Sequence, residues 1–439
     1  MIAAALLLSA CHPAVQTTPQ AMREPIALEW KAGKPATQAE AASQQARDYY
    51  AQGLAYLDSL AWVPAGRSFQ EALRLEPGWP MANLRLAEAE RGAGLEAEAG
   101  ARLDHIRAAA GNDARVRLWL EIAVREGGLG QGKAKHRAAL RQAYFEALDT
   151  LVNRDPRDPR ALLARGDAHA LAGDALAAIR DYRSAAGLDP QGPGAHHRLA
   201  HLLNEHGETE EALRHARAYA QAAPRWPHGG HLLAHILPRA GQWRQAQDAL
   251  EKAGETDPHA TELRAAFRLR SNELAAAEAL FDQACRGGLC AGLLRFLQWS
   301  GRMNAVLDTA ASARSSESQA ERCAAETAAG FALTDLWLEG DPRKTLKSAK
   351  SMCAGLRRGA AIEVEMLGAL IDVRRGKGKK MEPEILRLAR EAAELPDWDR
   401  WLFFLDYYSR AVLHAGLGET AAEVAAVAGK IDPGFVDRN

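Results

Sequence analysis

The sequence predicts an all-α chain built as a solenoid of stacked helical hairpins, and three observations predict it. The first is a period of 34 residues: Gly173, Gly207 and Gly241 keep that spacing, as do Ala178, Ala212 and Ala246, and Pro156, Pro190, Pro224 and Pro258. A repeat of this length marks supersecondary units that stack on one another rather than one globular core. The second lies between those marks. Segments 160–172 and 174–188 each carry apolar residues at helical spacing, with Gly173 as the break between them. The third is composition, since alanine is abundant and no stretch alternates apolar and polar residues as a half-buried strand would.

In the first regular unit Gly166, Gly173, Ala178, Tyr182, Ala185 and Pro190 stand at the small, aromatic and turn positions of a helical hairpin. In this pattern the chain resembles the tetratricopeptide repeat family. The resemblance implies a tetratricopeptide-like superhelix, an α-solenoid of about ten hairpins whose end units depart from the pattern because they face solvent.

Taken in order, residues 1–11 form an apolar run closed by Leu8-Ser9-Ala10-Cys11. That reads as a secretory leader, too short to span a bilayer. It resembles the bacterial lipobox, which implies a lipid on Cys11, and His12 after it implies sorting to the outer membrane, facing the periplasm. No Lys or Arg precedes the run, which points to a start further upstream. Residues 12–42, with Pro13, Pro19, Pro25 and Pro35 among polar residues, are expected to be a flexible tether.

Residues 43–155 are expected to hold degenerate hairpins. Gly53, Tyr56, Ala65, Phe69, Ala72 and Pro77 match the repeat pattern there, and a poorer unit surrounds Gly94. The regular array occupies 156–260. Residues 261–439 return to degenerate repeats, with Asn272, Ala277, Phe281 and Ala284 imitating a second helix. Turns are expected at Gly301, Gly340 and Gly376, and the pattern recovers at Gly416, Ala421, Ala428 and Pro433.

Four cysteines follow Cys11. An even number in an exported chain suggests disulfides, here Cys285–Cys290 across a turn and Cys323–Cys353 across a hairpin, with buried free thiols as the alternative.

The net charge of −1, with 25% charged residues, gives no basic footprint for nucleic acid. Phosphate-binding glycine loops and a Gly-x-Ser-x-Gly elbow are absent from the sequence, and Glu205 is misplaced for a metalloprotease helix in HLLNEH (201–206). The chain is therefore expected not to be an enzyme.

The sharpest local anomaly is histidine, with eight of fourteen falling between His196 and His235. Counted within each 34-residue unit, His197 and His231 share the fifth position, and His201 and His235 share the ninth. The resemblance implies that these first-helix positions line a concave groove that contacts a bound peptide. Asp167, His197, His201, Asn204, His231 and His235 are thus the expected partner-binding residues, and the expected partner is a protein or peptide segment.

A separation of four residues puts each histidine pair on one helix face. If the four rings converge, His197, His201, His231 and His235 offer a zinc or copper site as the alternative function. No other cofactor is implied. A third reading uses the basic run Arg374-Arg375-Gly376-Lys377-Gly378-Lys379-Lys380 as a contact, against the plainer one of a solvated turn.

Overall fold

The computed structural model describes residues 18–28, 43–109, 113–129, 133–223, 226, 228–336, 342–432 and 435. The expected leader, Cys11 and the turn at Gly340 lie outside these residues, as does most of the expected tether. Among the described residues the regular structure is helical throughout, apart from short turns. The chain divides into two compact units, 1–232 and 233–439. Each is an all-α stack of antiparallel hairpins.

In the first unit α1 (Gln44–Asp58) pairs with α2 (Trp62–Leu75), α3 (Pro80–Gly92) with α4 (Glu96–Ala109), and α5 (Ala114–Gly128) with α6 (Ala134–Arg154). The regular hairpins follow: α7 (Pro159–Leu171) with α8 (Ala175–Leu188), and α9 (Pro193–Glu205) with α10 (Thr209–Ala222). Proline opens α7 and α9 at the first turn, where the missing N–H costs nothing. Asp158 caps α7 by accepting from the N–H of Arg160 at 2.9 Å.

The turns use glycine where the backbone demands it: Gly173 has φ +82° and Gly207 φ +78°, a conformation that a side chain disfavours. Inside the α1/α2 and α7/α8 hairpins a second glycine admits an aromatic ring. A Cβ at Gly53 would lie 2.5 Å from Phe69, and one at Gly166 would lie 2.5 Å from Tyr182. Ala65, Ala72, Ala178 and Ala212 are wholly buried.

Part of the expected tether is docked on this unit. Met22 is buried and would collide with any Cβ at Gly66. Arg67 donates to the carbonyl of Ala21 at 2.7 Å, and Gln52 donates to that of Ala27 at 3.1 Å. Over residues 18–28 the chain is therefore held by one apolar anchor, two backbone carbonyls and the Arg67–Glu24 ion pair, which a reading from polar composition does not see.

The second unit contains α12 (Trp243–Ala253), α13 (Pro258–Arg270), α14 (Leu274–Arg286), α15 (Ala291–Trp299), α16 (Met303–Ala313), α17 (Gln319–Leu336), α18 (Pro342–Met352), α19 (Arg358–Asp372), α20 (Gly378–Glu394), α21 (Trp398–His414) and α22 (Gly418–Ile431). The helix at which the two units are divided, α11, spans His228–Ile236. In the second unit Trp398 is buried edge-on against Trp243, with ring centroids 4.9 Å apart. Disulfides Cys285–Cys290 and Cys323–Cys353 are both present. In the basic run, Lys377 reaches Asp372 at 3.0 Å and Arg374 lies 3.7 Å from Asp335, as in a turn that neutralises part of its own charge.

A buried carboxyl gives this unit a pH signature. Burial lifts Glu321 to about 7, even though the amide of Cys290 donates to it at 2.7 Å. The unfolded chain ionises this group near 4.5, so the folded state holds a proton that the unfolded state has released. Stability from this group is full below pH 4.5 and falls as pH rises towards 7, by about 3 kcal/mol. Glu321→Gln is expected to remove that slope, so denaturant unfolding at pH 8 should find the variant more stable than the wild type. Equal stabilities at pH 8 would refute it.

Candidate functional site

The first helices of successive hairpins in the first unit come together around one cleft. α3 supplies Arg85, Glu88 and Arg91, α5 supplies Trp119, Ala123 and Glu126, α7 supplies Arg160 and Asp167, and α9 supplies Arg198. Together with Tyr144 of α6 they enclose a cleft of about 40 Å³. Small-molecule pockets run to roughly 300–1,000 Å³, so the space suits one carboxylate or carbonyl group rather than a whole metabolite.

Charge in the cleft is dense and unevenly satisfied. Arg85 lies over the Trp119 ring, 4.0 Å from its centroid, and binds Glu88 at 2.8 Å. Arg160 pairs with Asp58 and lies 3.6 Å from Glu88, while Arg91 lies 3.6 Å from Glu126. Burial opposes ionisation of Glu88, but Arg85 and Arg160 outweigh it and hold the carboxyl below its usual range.

Each of these arginines still has a donor to offer. The Nε atoms of Arg85, Arg91 and Arg160 and the Nε1 of Trp119 are buried with no hydrogen-bond acceptor. Buried donors are normally paired. These four N–H groups belong to residues that line the cleft, and Arg91 Nε lies 3.7 Å from Glu96 in an ion pair. Among the described residues that line it there is no serine, threonine, cysteine or histidine.

Of the six residues expected to bind a partner, only Asp167 lines this cleft. Its carboxylate is already engaged: Arg198 donates to it at 2.6 and 2.9 Å and the Tyr182 hydroxyl at 2.7 Å. Burial opposes its ionisation, and Arg198 with Tyr182 overcomes that and holds it below the usual carboxylate range.

His197, His231 and Asn204 are buried as well, and His201 and His235 are partly exposed. His197 is covered because the end of α1 folds back onto α9. The backbone carbonyl of Asp58 accepts from His197 Nδ1 at 2.9 Å, and Tyr56 meets Trp226 edge-on at 5.7 Å. The first hairpin thus covers His197.

The structure groups the histidines differently from their repeat positions. His197 and His201 are joined by His228, and ligand nitrogens of the three lie within 4.8 Å of one another. His231 stacks on His228 at 5.5 Å. In the second unit His235 stacks on His259, with Nε2 atoms 3.2 Å apart. Burial, with His259 beside it, pushes His235 down to about 3. His228 and His259 are the members that repeat counting passes over, because each sits at a helix start rather than at a groove position.

No known protein-family profile matches the chain, and no curated protein matches it. Solved structures do. A tetratricopeptide repeat protein from Parabacteroides merdae is 18% identical, covering 56% of this chain and 94% of its own, with a TM-score of 0.34. Yeast Tom70 is 14% identical over 85% of this chain and 90% of its own, with a TM-score of 0.44. Human IFIT1, solved with m7Gppp-AAAA, is 12% identical over 88% of this chain and 99% of its own, with a TM-score of 0.43. At these identities the likeness concerns the fold alone.

Proposed function

We propose that this chain is a non-catalytic adaptor that holds a segment of another protein against the cleft in its first unit. The observation that carries the reading is the set of buried, unspent donors on Arg85, Arg91, Arg160 and Trp119 around one cleft. Such donors select carboxylate or backbone carbonyl oxygens, and Arg85 over Trp119 offers a flat, rigid surface beside them. A partner that presents an acidic or extended segment meets both needs.

The same reading places the adaptor at the bacterial cell envelope, tethered by a lipid on Cys11 and facing the periplasm. The two disulfides support export, since such bonds persist in oxidising compartments. The histidines are not the partner's first contact in this reading, because His197 and His231 are closed off by neighbouring helices.

In-cell crosslinking of the native-length protein followed by mild-detergent purification tests it. A partner recovered with the wild type should be lost with Arg85→Ala combined with Trp119→Ala. Helicity of the variant, checked by circular dichroism, separates lost binding from lost folding. Retention of the partner by a folded double variant would remove the cleft from the account.

A further inference from the structure

We propose that His197, His201 and His228 form a zinc-class metal site inside the first unit, with Asp58 as the group that orients it. The proposal is independent of the partner-binding reading and uses a different place in the fold.

The first support is geometric. His197 and His201 stand one turn apart on α9, and His228 opens α11, the first helix of the following hairpin. Their ligand nitrogens all lie within 4.8 Å of one another, with His197 Nε2 and His228 Nε2 at 3.0 Å. Three imidazoles around a tetrahedral zinc at 2.0–2.1 Å place their nitrogens about 3.3 Å apart. The 3.0 Å pair lies just inside the coordinated spacing and the other nitrogens lie within 4.8 Å.

The second support is the tautomer. A backbone carbonyl can only accept, so the 2.9 Å contact from His197 Nδ1 to the Asp58 carbonyl fixes the proton on Nδ1. Neutral His197 then carries its lone pair on Nε2, the atom that faces the other two rings. A carbonyl behind a ligating imidazole, holding the ring and fixing which nitrogen is free, is the usual outer support of such ligands. Without metal, His228 Nε2 has to donate to His197 Nε2. A cation entering between them takes the place of that hydrogen, and the proton moves to His228 Nδ1, so the ring stays neutral.

Burial supplies the third. His197 is fully buried and stacked on Tyr219 at 4.8 Å and 20°, and His228 is 1% exposed. His201 is partly exposed as a residue while its Nε2 is itself buried, so the site is enclosed, and a water would complete a tetrahedral set. Three neutral nitrogen donors suit zinc, and they suit copper or nickel in the same divalent series. The Asp58 carbonyl that supports His197 also ties the end of α1 to α9.

The experiment uses the tag-free full chain, stripped with a chelator and titrated with Co²⁺ as the visible probe, then with Zn²⁺ in competition. The expected result is an intense tetrahedral cobalt spectrum that zinc abolishes, together with a zinc-dependent rise in melting temperature. His201→Ala is the first variant, because a partly exposed residue is replaced and the His197–Asp58 contact is kept. It should weaken binding at this site by at least about 100-fold, beyond the loss typical of an outer-support change. His228→Ala should do the same. His215→Ala, whose ring contacts His196 at 2.9 Å instead, should bind as the wild type does. No tetrahedral cobalt spectrum in the wild type, or one unchanged in both folded His201→Ala and His228→Ala, would overturn the proposal.

Discussion

Arg198→Ala is expected to destabilise the first unit by about 3–5 kcal/mol, the cost of breaking a buried ion pair by removing one partner. Arg198 is 3% exposed and its whole guanidinium is used. Nε and Nη2 grip Asp167, and Nη1 donates to the Gly194 carbonyl at 3.2 Å and lies 3.8 Å from Asp58. Removing it leaves the Asp167 carboxylate buried, with the Tyr182 hydroxyl still donating to it.

Two controls identify the cause. Arg198→Lys should rescue little, because an ammonium cannot reproduce the two-pronged grip. Arg198→Met combined with Asp167→Leu should be less harmful than Arg198→Ala, because no charge is then stranded. Acid titration gives a further sign. In the wild type the lowered Asp167 contributes stability that is present above pH 3.8 and lost as pH falls through its folded value. In Arg198→Ala the main opposing charge is gone and burial outweighs the Tyr182 hydroxyl, so the folded value rises and that contribution changes sign. Urea unfolding at pH 7 and pH 4 measures both effects. A loss below about 1 kcal/mol at pH 7 would contradict the buried-pair account.

The second large effect concerns the second unit. Opening Cys323–Cys353 by a Cys323→Ala/Cys353→Ala double variant is expected to cost about 3 kcal/mol, from the chain entropy that a loop of this size returns to the unfolded state. The bond joins residues 30 apart in sequence, and both cysteines are buried against Ala349 and Val364. Cys285–Cys290 spans a separation of 5 at an exposed turn. The Cys285→Ala/Cys290→Ala pair should therefore cost clearly less. Thermal unfolding of the full chain checks the order of the two. Equal losses would show that loop length is not what sets the stabilisation.

Much of the fold was legible because a solenoid repeats its own constraints. Gly173, Gly207 and Gly241 are spaced by the period and each takes positive φ, while Gly53 and Gly166 leave room for Phe69 and Tyr182. Even Asn272, which stands where a turn glycine would, has φ +61°. These are local facts, fixed within one hairpin and its neighbour.

The site was harder to read because it depends on how hairpins stagger and curve. Asp167 meets Arg198 and His197 meets His228, each at a separation of 31 residues rather than 34. Neighbouring first helices thus touch at one repeat less about a turn. Counting by the repeat paired His197 with His231. Counting by 31 selects His228. The 139-residue return of Asp58 to His197 carries no such sign, because it sums the small rotation of every repeat between them. Likewise the unspent arginine donors follow from which carboxylates are out of reach, and spacing along the chain does not state that.

The most direct test of the adaptor account is a photo-crosslinking amino acid placed in living cells at Ala123, which lines the cleft, and separately at Leu176, which is 70% exposed on α8. The account predicts a discrete adduct of one partner protein from Ala123 and none from Leu176, with the Ala123 adduct lost when Arg85→Ala and Trp119→Ala are added. The same adduct from Leu176, or an Ala123 adduct indifferent to those two changes, would contradict it.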